Sequence, residues 1–191
     1  RPGVGERMPF TLERRAIHVR AVQRVTMLAP GAGYLDVNVF SDSSTDEVAA
    51  AVDSLKAMGM QALIIDLRGN PGGLLDEGVA MSDLFLDEGK AIVRTRGRTP
   101  DANQTFVDRA AQKWPTLPII LLVNEGSASA AEILAGALQD HDRAVLVGRT
   151  TYGKGSAQSV FPVPAGGALK LTTALWYTPA GRSINKPHRS S

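Results

Sequence analysis

Two short apolar runs, Ala62-Leu63-Ile64-Ile65-Asp66-Leu67 and residues 118–124, constrain this chain more than any other feature. Each reads as a buried strand, and each passes directly into a turn of small residues and then a helical pattern. The first meets Arg68-Gly69-Asn70-Pro71-Gly72-Gly73 and a helix through about Leu86. The second meets Glu125-Gly126-Ser127 and an Ala/Leu-rich helix over residues 128–140. Further on the pattern turns β-rich, with strands over residues 158–163 and 169–177 around a Pro-Ala-Gly-Gly turn. In the last strand Leu169, Leu171, Thr173, Leu175 and Tyr177 share one face. The expectation is an α/β fold: a mixed sheet with flanking helices and a β-rich C-terminal part.

The other elements follow from local patterns. Near-alternation predicts strands over residues 16–22 and 34–40. Ser44-Thr45-Asp46-Glu47 reads as a capping box, continued at helical spacing by Val48, Val52, Leu55 and Met58 and stopped by Gly59. Strands are expected over residues 91–95 and 143–148, an exposed loop over 96–104 and a short helix over 105–114.

Composition closes off several classes of function. The 191 residues include no cysteine, which removes disulfides, thiolate chemistry and Cys-based zinc sites together. Net charge is +2 with both signs interspersed, and no basic run carries interleaved aromatics, so nucleic acid is not an expected partner. The longest apolar runs are too short to span a bilayer. Of the three histidines, His18 lies in an N-terminal strand, His141 just after a helix and His188 in a polar tail. None accompanies a recognisable nucleophile, and each reads as a surface residue. There is no Gly-x-Ser-x-Gly elbow, no His-Glu-x-x-His and no phosphate-binding glycine loop.

Three segments can still be read as one site. In Gly126-Ser127-Ala128-Ser129-Ala130-Ala131-Glu132, small residues at a strand-to-helix junction admit a substrate backbone. They also place hydroxyls at the positive end of a helix. The plain alternative is an N-cap serine. In Thr151-Tyr152-Gly153-Lys154-Gly155, a lysine between glycines could act as a base once neutral, which requires its reference pKa of ~10.4 to fall by burial. The flanks Val145-Leu146-Val147 and Ser159-Val160-Phe161 suggest an apolar setting, against the alternative of a solvated turn lysine. In residues 68–73, glycines could turn N–H groups toward one point as an oxyanion hole requires, or simply permit a tight turn.

Together these segments closely resemble the carboxyl-terminal processing (tail-specific) peptidase family. The matching blocks run in family order: residues 64–75, Val123-Asn124-Glu125-Gly126-Ser127-Ala128-Ser129-Ala130, Thr151-Tyr152-Gly153-Lys154-Gly155-Ser156-Ala157-Gln158, and Tyr177-Thr178-Pro179-Ala180-Gly181-Arg182-Ser183-Ile184. The resemblance covers most of residues 33–185. It implies Ser129 as nucleophile, Lys154 as general base and Gln158 as the group that orients the lysine. The implied oxyanion donors are the N–H groups of Ala130 and of Gly73, with Gly72 as the alternative to Gly73. One departure is Ala131, where many relatives carry serine.

The resemblance further implies a ClpP/crotonase-like core, an acyl-enzyme mechanism without metal or organic cofactor, and polypeptide substrates cut near their C-termini. It places the parent in a bacterial envelope compartment or outside the cell, and leaves a homo-oligomer open. Residues 1–24 are expected to be the end of a truncated PDZ module and its connecting strand, and residues 25–191 the serine peptidase core. Competing readings are a non-catalytic ligand- or peptide-binding module on the same fold, a fragment inactive without its PDZ module, and crotonase-type acyl-thioester chemistry.

Overall fold

A computed structural model describes residues 9–15 and 17–186. In chain order its strands and α-helices are β1 (Val22–Ala29), β2 (Ala32–Val37), α1 (Ser44–Ala57), β3 (Ala62–Asp66), α2 (Leu75–Asp83), β4 (Ala91–Gly97), β5 (Thr105–Val107), β6 (Ile119–Val123), α3 (Ala130–Asp140), β7 (Val145–Gly148), β8 (Ser156–Val163) and β9 (Gly167–Tyr177). They form two sheets. The first is mixed, with order β1-β2-β3-β6-β7: a β1–β2 hairpin followed by parallel pairings of β2 with β3, β3 with β6 and β6 with β7. The second, β5-β4-β9-β8, is antiparallel throughout. The expected mixed sheet is therefore present, and the β-rich C-terminal part is a separate sheet that recruits β4 and β5.

The two apolar runs lie side by side, with Leu63 opposite Ile119 and Asp66 opposite Leu122. Leu63, Ile65, Leu121 and Val123 are buried in one core with Ile133, Leu134, Ala137 and Leu138 of α3. Because β2, β3, β6 and β7 run in one direction, the loops leaving β3, β6 and β7 open on the same edge, where open α/β sheets build their sites.

Several local expectations change. Residues 17–20 are not a strand. The hairpin runs out at the Val22–Val37 pair, so β2 offers them no partner. The capping box at Ser44 is not formed. Ser43 occupies the cap position, while Ser44 is fully buried and donates its hydroxyl to the Ser41 carbonyl. Glu47 instead accepts from the Ala21 and Val22 amides, 3.0 Å each, and from Ser43. Gly59, at φ +88°, does end the helix. In β9 the buried side chains are Ala174 and Trp176, on the face opposite the one that Thr173, Leu175 and Tyr177 share. The strand expected over residues 143–148 begins only at Val145, because the Arg143 guanidinium reaches the Phe85, Trp114 and Leu117 carbonyls.

The helix predicted over residues 105–114 is strand β5 followed by irregular chain. Phe106 pairs with Val93, and Asp108 exchanges backbone hydrogen bonds with Lys90 and Gly89. Trp114 is buried beside Phe85, with ring centroids 5.4 Å apart. Asp108 is itself buried, and one carboxyl oxygen has no hydrogen-bond partner. Burial, with repulsion from Asp83 and Asp87 added to it, pushes its pKa up to about 7. An acid raised in the folded state adds stability below its unfolded pKa and loses it as pH rises through the folded value. Stability is thus expected to fall between about pH 4 and pH 7. Asp108→Asn, which stays uncharged at every pH, should flatten this decline; urea midpoints at pH 4.5 and 8 decide, and parallel declines in both proteins would refute the assignment.

Candidate active site

The loop after β3 is organised by Asn70. This buried side chain donates to the Val37 carbonyl (2.7 Å) and accepts from the Gly72 amide (2.8 Å), while its own carbonyl accepts from Ala128 (2.9 Å). The loop after β6 is organised by Asn124 and Ser127. The Asn124 side-chain oxygen accepts from Gly69 and Gly126, and the buried Ser127 hydroxyl donates to the Leu67 carbonyl at 2.7 Å. The loop after β7 joins through the Tyr152 amide, 2.9 Å from the Ser127 carbonyl. The three segments singled out in the sequence are therefore hydrogen-bonded to one another.

Ser129 stands at the N-terminus of α3 with φ +59° and ψ −116°, a backbone region uncommon for any residue but glycine. Such a turn costs on the order of 1–3 kcal/mol and persists only when its surroundings enforce it. Enforcement comes from Glu132, one turn along α3 and 4% exposed. Its carboxylate accepts from the Ser129 amide at 2.8 Å and the Lys154 amide at 2.8 Å on one oxygen, and from the Gly153 amide at 2.6 Å on the other. The backbone nitrogens of Ser129 and Lys154 thus share a single acceptor atom, although 25 positions separate them in the chain.

On the opposite wall, Gly72 presses against the start of α3. A Cβ there would lie 2.6 Å from the Ala128 carbonyl oxygen, 2.7 Å from Ser129 Cβ and 2.8 Å from the Ala130 nitrogen, at φ +89°. The Gly72 amide is taken by Asn70. Among the described residues, the amides of Gly73 and Ala130 donate to no protein acceptor. Gly72→Ala is expected to cost about 2–4 kcal/mol, combining the positive-φ penalty with overpacking. Gly69→Ala, at φ +73° but facing open space, should cost only the backbone part. Equal urea midpoints for the two variants would contradict this packing.

The side chains of Lys154 and Gln158 are placed differently from the expectation. Both are exposed, and among the described residues neither makes a side-chain hydrogen bond, so no hydrogen bond joins the Lys154 amine to Ser129. The apolar setting anticipated from the flanks is absent: Val145, Val147, Val160 and Phe161 face solvent. The structure unites the backbones of the two segments and leaves the amine outside. The histidines have other roles, His18 pairing with Glu47 and His141 hydrogen-bonding the Ala91 carbonyl, while His188 lies outside the described residues.

A sequence profile described as peptidase family S41 matches residues 31–189. The chain belongs to peptidase family S41. It is 41% identical over 186 residues to a carboxy-terminal-processing protease of Bartonella bacilliformis, covering 95% of this chain and 42% of that protein. It is 37% identical over 186 residues to the carboxy-terminal processing protease CtpA of Bacillus subtilis, covering 97% and 39%. Among solved structures it resembles a photosystem II D1 C-terminal processing protease, with a TM-score of 0.75 and 30% identity over 90% of this chain and 47% of that one. A putative S41 protease from Bacteroides fragilis shares the fold, with a TM-score of 0.70 and 21% identity over 88% of this chain and 49% of that one. The S41 chain thus spans about two fifths of the length of these curated relatives.

Two organising groups of the S41 site did not emerge from sequence reading. Glu132 was visible only as the last residue of the serine segment, although Ser129-x-x-Glu132 has capping-box spacing that could have drawn attention to it. The other is the Asp66 carboxylate. It accepts from the Arg68 amide and guanidinium and from the Tyr34 hydroxyl at 2.8 Å, bracing the strand end beneath the glycine loop. Burial pushes this carboxyl upward, but those bonds outweigh it and hold its pKa below the usual range. A cleft of about 640 Å³ between α2 and β5 is not this site. Asp76, Val79 and Asp83 line it from the face of α2 opposite Gly78, the residue that touches Ala130.

Proposed function

We propose that this S41 chain is the catalytic core of a serine endopeptidase that cuts polypeptides near their C-termini, with Ser129 as nucleophile and Lys154 as general base. The observation that carries the reading is Glu132, which binds the Ser129 turn and the Lys154 loop through one carboxylate while two unspent amides stand beside the serine. The exposed Lys154 side chain swings over Ser129, and Gln158, four residues along, orients it. The neutral amine takes the hydroxyl proton as Ser129 attacks the scissile carbonyl. The ammonium then protonates the leaving amine, and the freed lysine activates water to release the acyl group. The Gly73 and Ala130 amides receive the oxyanion; such a donor is worth about 2.7–4 kcal/mol of barrier. The preference for C-terminal segments follows the names of the processing proteases that the chain resembles. The envelope setting belongs to the same proposal.

The exposed amine supports a companion reading, that this arrangement is a resting state of the same core and turns over only when Lys154 is driven inward. A fluorophosphonate probe separates both from a binding module. The probe should form an ester on Ser129, located by peptide mapping, and an unstructured polypeptide should be cleaved by the active arrangement. Slow labelling without cleavage marks the resting state, in which the base stands away from the serine. No ester on Ser129 at any pH at which the chain stays folded would refute the peptidase.

A further inference from the structure

The Lys154 loop is held from two sides, and only one of them is the Glu132 carboxylate. The other begins at the far end of α3. Asp140, the last residue of that helix, accepts from the Arg182 guanidinium on one oxygen and from the Ala180 amide at 2.8 Å on the other, with its side chain 5% exposed. The same guanidinium donates to the Gln139 side chain at 2.8 Å. Burial tends to raise the Asp140 pKa, but the bonds from Thr178, Ala180 and Arg182 more than offset it, so the carboxylate stays charged opposite Arg182. The turn over residues 178–182 closes on itself through Thr178 and Arg182 and rests a Thr178 methyl where Gly136 lacks a side chain.

From Arg182 the chain doubles back along the Lys154 loop. Ser183 pairs with Tyr177, and the Ile184 amide reaches the Trp176 carbonyl at 3.1 Å. The Lys186 amide donates to the Gly153 carbonyl at 3.1 Å, and its ammonium donates to the Thr151 carbonyl. Contact is close enough to demand glycine on both sides of Lys154. A Cβ on Gly153 would lie 2.4 Å from Lys186 Cγ, and one on Gly155 2.3 Å from the Asn185 nitrogen. The amides of residues 153 and 154 are thus tied to Glu132, and the carbonyls of residues 151 and 153 to the returning strip. The two ties meet α3 about 12 Å apart, eight residues at 1.5 Å each.

We propose that Arg182 is a positioning residue for Lys154. By locking the turn over residues 178–182 to the end of α3, it sets where the returning strip lies and hence the position of the loop that carries the amine. This rests on the reading of Lys154 as general base, and it adds a residue that touches neither the nucleophile nor the base. Both bonds leave one guanidinium nitrogen, Nη2, which therefore ties Gln139 and Asp140 to the turn at a single point.

The test uses the whole 191-residue chain and compares wild type with Arg182→Met, Arg182→Lys and Asp140→Asn. Hydrogen exchange by NMR follows the amides of residues 153 and 154 against those of β3, and fluorophosphonate labelling of Ser129 is followed against pH. In Arg182→Met, exchange at residues 153 and 154 should rise about tenfold or more with β3 unchanged. Labelling should slow about tenfold with an altered pH profile, and Arg182→Lys should recover part of both. Unchanged exchange at residues 153 and 154 overturns the positioning role, whatever the labelling shows. Should Arg182→Met raise exchange everywhere, Asp140→Asn decides by the same comparison, since it keeps an oxygen for Ala180 but removes the ion pair. Wild type that resists labelling while exchange responds as described sinks the assigned chemistry and supports the mechanical link. The two failures are thereby distinguishable.

Discussion

Ser129→Ala is expected to lower peptide hydrolysis by about 10⁴-fold or more, and Lys154→Ala by a similar factor, with the double variant little worse than either. The proton leaving the serine and the lysine that takes it belong to one event, so removing either partner removes the whole contribution. What remains comes from the Gly73 and Ala130 amides, which still meet a carbonyl but have no nucleophile to assist. Folding should survive both changes. The Lys154 side chain is exposed and makes no hydrogen bond among the described residues. Ser129 contributes to the fold through its backbone amide, which alanine retains. Rates against an unstructured polypeptide, with melting temperatures beside them, give the answer. Comparable turnover by wild type and Lys154→Ala would eliminate lysine as the base.

The second large effect concerns a residue that takes no proton. Glu132→Ala is expected to cost about 3–6 kcal/mol and to abolish probe labelling of Ser129. Three amides, the buried one of Ser129 and the partly buried ones of Gly153 and Lys154, lose their acceptor at once, and each unsatisfied buried donor costs about 1–3 kcal/mol. Against a typical domain stability of about 5–15 kcal/mol this approaches unfolding. Glu132→Gln makes the test sharper. Its one remaining oxygen can serve Ser129 and Lys154, but its amide group then faces the Gly153 donor, so an intermediate loss should appear. Urea denaturation separates the three proteins. A midpoint for Glu132→Ala within 1 kcal/mol of wild type would show that this carboxylate does not hold the two segments together.

Much of this was legible in advance where a local pattern had only one physical outlet. The runs at residues 62–67 and 118–124 could be little other than buried strands, since no amphipathic helix buries both faces of so short a segment. Gly59 stopped its helix because the chain there takes a positive φ. Reading failed where the deciding partner was remote. Residues 105–107 became a strand because β4 offered an edge, and Glu47 left the expected cap because the Ala21 and Val22 amides needed an acceptor.

The candidate site divides along the same line. Ser129, Lys154, Gln158 and the glycines of residues 72–73 could be named because their short segments resemble the motifs of a known family, while the segments taken singly left an N-cap, a turn lysine and a tight turn equally open. That Glu132 joins two of those segments, that Asp140 and Arg182 brace the second from behind, and that the Lys154 amine lies in solvent emerged only from the tertiary structure. Hydrogen bonds and burial depend on distances between segments far apart along the chain, and one-dimensional spacing carries no record of them.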